Sequence, residues 1–234
     1  MPAAPTGGTQ AASRHRAGRG TWRAAALLLL LPLAGCSSVS HTGVETVRLL
    51  IGGGPDITPD ARTVAASPYA RMQVEGGGLR AVMVLGNDDA GLQSWYGDVR
   101  HVVFLRDGLL AGTAGLTENV DDIRIEGDNP FEHLLQVGEQ PVPVSRSYDW
   151  RDGYRYGVAV SGSLSRRGNE TVDILGTSRE LIRFEEVLRG PGVHAKNEYW
   201  ADPQTGFIWK SRQMVAPDKM LDFLVLKPYR PGTP

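Results

Sequence analysis

From Tyr69 onward the chain is a succession of short runs rich in Val, Leu, Ile and aromatic residues, each cut off by turn residues. "YARMQVE", "LRAVMVL", "VRHVVFLR", "YRYGVAVSGSLS", "RELIRFEEVL", "FIWKSRQM" and "KMLDFLVLK" are such runs. "GGG", "NDDAG", "RDG", "RRGN", "RGPG" and "DPQTG" are the punctuation between them. Runs of this length bounded by Gly, Asn, Asp and Pro predict strands. Asp107-Gly108 predicts a tight hairpin, because such a turn needs positive φ and Gly accepts it. Asp202 to Gly206 predicts a longer loop of the same kind. Several runs alternate: Leu221, Phe223 and Val225 fall opposite Asp222 and Leu224, and Tyr154, Tyr156, Val158 and Val160 share one side. Period-two alternation means one face buried and one wetter, as in antiparallel sheet. No long amphipathic helix interrupts the series, which argues against βαβ units. The expected fold is mainly β: a single large antiparallel β domain over residues 44–234, with its core at 67–228. It closes as a barrel or, alternatively, folds as a sandwich, with one or two short helices. The best helix candidate is Asn129 to Gly138, with Asn129 as N-cap and Pro130 in the first turn.

The first 35 residues differ in kind. They carry Arg14, Arg16, Arg19 and Arg23 with no acid, and then the apolar run "AAALLLLLPLAG". A basic segment followed by an apolar run of about 12 residues predicts a signal peptide, too short for the roughly 20 residues that cross a bilayer. The run ends Leu33-Ala34-Gly35-Cys36, and Cys36 is the sole cysteine. This resembles a bacterial lipobox. The resemblance implies cleavage before Cys36, a thioether-linked diacylglycerol on its sulfur and an N-acyl chain on its new amino group. Three acyl chains hold a domain on a bilayer far more firmly than the single chain that gives only reversible binding. Ser37 at the next position, in place of Asp, implies by the same resemblance an outer-membrane address with the domain in the periplasm. Residues 36–43 then read as a polar tether.

Charge and motif content narrow the chemistry. The whole chain has a net charge of −1, and loss of the four leader arginines leaves the remainder mildly acidic. Bulk electrostatics therefore offer nothing to a nucleic acid. A single thiol forms no internal disulfide, and no His or Cys pair has zinc-ligand spacing, so no metal and no cofactor beyond the lipid on Cys36 is expected. "SGSLS" (Ser161 to Ser165) lacks the flanking glycines of a nucleophile elbow. The adjacent acids Asp88/Asp89, Asp121/Asp122 and Glu185/Glu186 point to opposite faces of a strand, so adjacency creates no shared acid–base pair. No catalytic residue is assigned. The aromatic pairs Trp95-Tyr96 and Tyr199-Trp200 place one ring on each face of a strand. They form the candidate glycan or partner surface, against the alternative that such rings fill the core.

Four segments in order carry a further resemblance: "SPYA" (Ser67 to Ala70), "QSWYGDVRHVVFLRDGLLAGTAGLTENV" (Gln93 to Val120), "YDW" (Tyr148 to Trp150) and "NEYWADPQTGFIWKSRQ" (Asn197 to Gln213). With the lipobox, they make the chain resemble the YjbF/GfcB family of exopolysaccharide and group 4 capsule envelope lipoproteins. That resemblance implies a barrel-like β domain, an outer-membrane lipid anchor and a role in polysaccharide secretion or assembly. Its partners would be the polysaccharide export proteins, the exopolysaccharide, or both. It implies no catalytic motif. Two other classes remain open from the residues alone: a polysaccharide-modifying enzyme, and a barrel carrier or sensor holding a lipid or glycolipid.

Overall fold

The computed structural model describes residues 58–97 and 100–230. The lipobox with Cys36 and the tether at 36–43 lie outside the described residues. The described chain starts with a one-and-a-half-turn helix, α1 (Ala61–Ala66), capped by Asp60, whose carboxylate accepts from Thr63 N and Thr63 Oγ1, each at 2.9 Å. Twelve strands follow: β1 (Arg71–Gly76), β2 (Leu79–Asp89), β3 (Leu92–Tyr96), β4 (Val102–Arg106), β5 (Leu109–Ala114), β6 (Asp122–Glu126), β7 (Val142–Trp150), β8 (Arg155–Ile174), β9 (Thr177–Gly190), β10 (Val193–Ala201), β11 (Ile208–Ala216) and β12 (Lys219–Lys227).

All twelve belong to one antiparallel sheet in the order β5-β4-β3-β2-β1-β12-β11-β10-β9-β8-β7-β6. The first strand pairs with the last, and the two free edges, β5 and β6, are consecutive in sequence. The edges come together at the connecting loop, where Thr113 N donates to Val120 O at 2.8 Å and Asp121 N to Asp149 O at 2.8 Å. The sheet is thus a nearly closed barrel, and one continuous sheet rules out the sandwich. Closure is also how an all-β chain leaves few unpaired edges.

The alternation read from the sequence orients the strands. Leu221, Phe223 and Val225 are buried inside, as expected. At the start of β8 it fails: Tyr154 sits in the turn at φ 54°, Gly157 has φ 62°, and Asp149 Oδ1 accepts from Gly157 N at 2.6 Å. That irregularity breaks the pleat, so Tyr154 and Tyr156 face solvent while Val160 is buried. Asp107 and Gly108 form the expected hairpin, with φ of 52° and 80°. The helix expected after Asn129 forms as a 3-10 helix, Pro130–Gln136. Asn129 Oδ1 accepts from Phe131 N at 3.1 Å, and a non-helical His133 interrupts the regular turns.

Three apolar groups hold the domain. Met72, Met83, Trp95, Leu188, Met214 and Leu221 typify the main interior group. A second, including Leu109, Leu164, Phe184 and Ile208, lies under the 3-10 helix. The third lies on the outside of the barrel and includes Val64 of α1 with Val82, Trp200 and Leu226. Among the described residues the barrel interior is packed with side chains, as in small barrels.

A mouth cleft over a buried ion pair

An up-and-down sheet sends its turns alternately to two ends. The β2–β3, β4–β5 and β10–β11 connections, the 3-10 helix and the segment after β12 gather at one end, and they enclose an open cleft of about 810 Å³. Phe207 and Tyr229 stand on its rim, 40% and 42% exposed. Phe131 lines it from the 3-10 helix, and Trp95, only 2% exposed, from the wall below. Phe207 is held edge-on to Trp209, ring centroids 5.1 Å apart.

Polar groups are set between these rings. Asp88 accepts from Gly91 N at 3.0 Å and from Gln93 Nε2 at 3.3 Å, and Gln93 Oε1 accepts from the Trp95 indole at 3.3 Å. Asp107 stands in the β4–β5 turn, and Glu132 accepts from Asn129 Nδ2 at 3.4 Å. The β4–β5 hairpin is itself braced across the barrel. Gln213 of β11 donates from Nε2 to Gly108 O at 2.9 Å and accepts at Oε1 from Leu110 N at 2.9 Å. Gly108 is pressed against Ile208, where a Cβ would come within 3.0 Å of the Ile208 side chain.

Directly beneath lies a buried polar cluster. Arg146 of β7 donates to both oxygens of Glu186 on β9, at 2.7 and 3.0 Å. Glu186 Oε2 also accepts from Tyr199 OH at 2.8 Å and from Asn197 Nδ2 at 3.1 Å, and Asn197 Oδ1 accepts from Met214 N at 2.8 Å. Burial alone would pull the Arg146 pKa down, but the Glu186 carboxylate outweighs it and holds the guanidinium charged. Burial pushes the Tyr148 hydroxyl up to about 12 and the Tyr199 hydroxyl well above its ordinary value. Phe131 joins cluster to cleft: its ring meets Tyr199 edge-on at 5.0 Å, and the Arg146 guanidinium lies 5.3 Å from its centroid. Glu186 is fully buried, with four donor contacts on its two oxygens, so it presents no free base to the cleft.

The four rings named from the sequence do not form one surface. Trp95 lies in the cleft wall, nearly covered. Tyr199 is inside the barrel and hydrogen-bonded in the buried cluster. Tyr96 is exposed on the other side of β3, packed over Gly86. Trp200 is covered on the outside of the barrel, with Lys210 Nζ 4.2 Å from its ring centroid. Adjacent residues of a strand diverge, so each pair splits between core and exterior. The remaining cleft aromatics, Phe131, Phe207 and Tyr229, sit in connections, where no periodicity marks them. Arg146 also carries no motif signal.

Comparisons with known proteins bear on the whole chain. A family model described as group 4 capsule polysaccharide lipoprotein gfcB, YjbF, matches residues 44–224. The uncharacterized lipoprotein GfcB of Escherichia coli (strain K12) is 26% identical over 192 residues, which is 80% of this chain and 89% of that protein. The crystal structure of the hypothetical lipoprotein YmcC from Escherichia coli (K12) superposes with a TM-score of 0.68 at 22% identity. That alignment covers 83% of this chain and 97% of the YmcC chain.

Proposed function

The chain belongs to the YjbF family of group 4 capsule polysaccharide lipoproteins, and from that premise we propose that it is a non-catalytic accessory of capsule or exopolysaccharide export, holding the polysaccharide at the barrel mouth. Cys36 carries the lipid, and the domain stands in the periplasm on the outer membrane. The observation that carries this reading is the mouth cleft, where exposed rings alternate with immobilised carboxylate and amide groups. Sugar C–H faces stack on aromatic rings while sugar hydroxyls hydrogen-bond, and a site needs both kinds of group to hold a saccharide. The packed interior supports the mouth, and not a lumen, as the place for a ligand. The saturated Glu186 supports binding without turnover. The described chain enters the sheet at the cleft end, through Ser67 and the start of β1.

The test is made in the producing cell. A Phe207→Ala/Tyr229→Ala variant is expected to keep normal abundance and membrane fractionation while surface polysaccharide falls severalfold. Unchanged polysaccharide in that strain would remove the cleft from the function. Shortening or modification of the polymer by the purified lipoprotein would replace the non-catalytic reading with an enzymatic one. A Cys36→Ala variant is expected to carry no lipid; processed protein that still fractionates with the membrane would refute the anchor.

A further inference from the structure

The cleft has a charge as well as a shape. Asp88, Asp107 and Glu132 line it, and no Lys or Arg is among its described lining residues. The nearby cations are not part of that lining. Arg106 donates to Ala90 O at 3.1 Å at the β2–β3 turn. Lys227 and Arg230 lie in a separate, smaller cleft that meets the first only at Pro228 and Tyr229, and the Lys227 ammonium is bound to the Ala65 and Ser67 carbonyls. Two of the three acids are also held by side-chain contacts: Asp88 by Gly91 N and Gln93 Nε2, and Glu132 by Asn129 Nδ2. A ligand seated between the rings thus meets carboxylates that accept hydrogen bonds and no described lining cation to neutralise an acid.

Resting on the polysaccharide reading above, we infer that the cleft takes uncharged stretches of glycan and rejects uronate-type residues. A neutral sugar offers hydroxyl donors to Asp88, Asp107 and Glu132, and each such bond to a charged acceptor is stronger than a neutral one. A sugar carboxylate at the same place offers an acceptor to acceptors and adds like-charge repulsion, as a desolvated cleft with one sign of charge does to any ligand of that sign. The cleft selects a segment by charge before it selects a linkage.

The full-length lipoprotein in detergent micelles is titrated calorimetrically with maltohexaose, cellohexaose and hexagalacturonate at low salt. At least one neutral hexasaccharide is expected to bind, with hexagalacturonate weaker by about tenfold or more. That gap should narrow at 0.5 M salt, where screening shortens the reach of surface charge to a few ångströms. The Asp88→Asn/Asp107→Asn/Glu132→Gln variant is expected to strengthen hexagalacturonate binding by about tenfold. Asn is tolerated at the positive φ of position 107, and an unchanged melting curve verifies the fold. The Phe207→Ala/Tyr229→Ala variant should lose the neutral ligand. If wild-type protein binds hexagalacturonate as tightly as the neutral chains, the charge inference fails and the polysaccharide reading stands. If Phe207→Ala/Tyr229→Ala keeps neutral binding, the cleft is not the site and the inference fails with it. If none of the three oligosaccharides binds, both the inference and the glycan-holding reading are overturned.

Discussion

Replacing Glu186 with Gln tests whether the cluster under the cleft is a true buried ion pair. The substitution keeps the size of the side chain and removes its charge. Arg146 then retains a guanidinium that is 2% exposed and has lost the carboxylate that pairs with it. Breaking a buried pair from one side costs about 3–5 kcal/mol, because the remaining charge is left uncompensated in a poorly solvated place. Domain stabilities run to about 5–15 kcal/mol, so the loss is a large fraction of the total. For a domain of this size each kcal/mol lowers the melting temperature by about 2–4 °C, which gives a drop of roughly 6–20 °C. Far-UV circular dichroism melts and urea titrations followed by tryptophan fluorescence measure it on the full chain in detergent. The companion variant Arg146→Met/Glu186→Met removes both charges together. It is expected to melt above Glu186→Gln, since an apolar replacement of a whole buried pair is often neutral or better. A loss under about 1 kcal/mol for Glu186→Gln, or a double variant less stable than that single one, would refute the reasoning.

Three further outcomes follow from the same geometry. Tyr148, pushed up to about 12 by burial, and Tyr199, raised well above its ordinary value by burial, stay neutral in the folded protein where the unfolded chain ionises them near pH 10. Their contribution is therefore complete below about pH 10 and is lost as pH rises through the folded-state values, by about 1.4 kcal/mol per unit for each tyrosine; urea midpoints at pH 8, 10 and 11 should fall in that order, and a flat series rejects the prediction. Gln213→Leu strands the buried Leu110 N–H and takes the partner from the part-buried Gly108 carbonyl beside the cleft and is expected to cost about 1–3 kcal/mol, with a change within 0.5 kcal/mol showing that the brace is not needed. Gly162→Ala would set a Cβ 2.6 Å from Glu186 Oε1 and 3.0 Å from Val144 Cβ; about 1–3 kcal/mol of overpacking is expected in equilibrium unfolding, and wild-type stability would show that Glu186 has room to move.

Strand content, hairpin positions and the absence of long helices among the described residues were legible because period-two patterns and Asp-Gly or Gly-rich turns act locally. The place where this reading failed, Tyr154 and Tyr156, is where Gly157 adopts positive φ and Asp149 captures its N–H, a contact eight residues apart that no period reports. The opposite facing of Glu185 and Glu186 was legible too: Glu185 meets Arg167 and Lys196 on the outside, and Glu186 turns inward. What Glu186 meets inside was not legible, since Arg146 lies 40 residues away and reaches it across the intervening strand β8, beside Gly162. The cleft was hidden for a related reason. Its aromatics are scattered through connections at Phe131, Phe207 and Tyr229, and only closure of the sheet gathers those connections at one end.

The buried cluster is best understood as a device for register. It joins β7 through Arg146, β9 through Glu186, β10 through Asn197 and Tyr199, and β11 through Met214 N, and it reaches the 3-10 helix through Phe131. In an antiparallel sheet a slip of one residue turns every side chain to the opposite face. Such a slip in β9 would drive Glu185 or Val187 against Arg146 and turn Glu186 outward. Apolar side chains in a long meander tolerate some slippage because one aliphatic group substitutes for another. A guanidinium that needs one carboxylate does not. A single register across four strands fixes where the β10–β11 loop and the 3-10 helix come to lie, and hence the spacing of Phe207 and Phe131 across the cleft. The ion pair that adds little net stability over an apolar core thereby sets the dimensions of the mouth, and the Arg146→Met/Glu186→Met variant, stable but freed of that constraint, is expected to bind the neutral hexasaccharide more weakly than the wild type does.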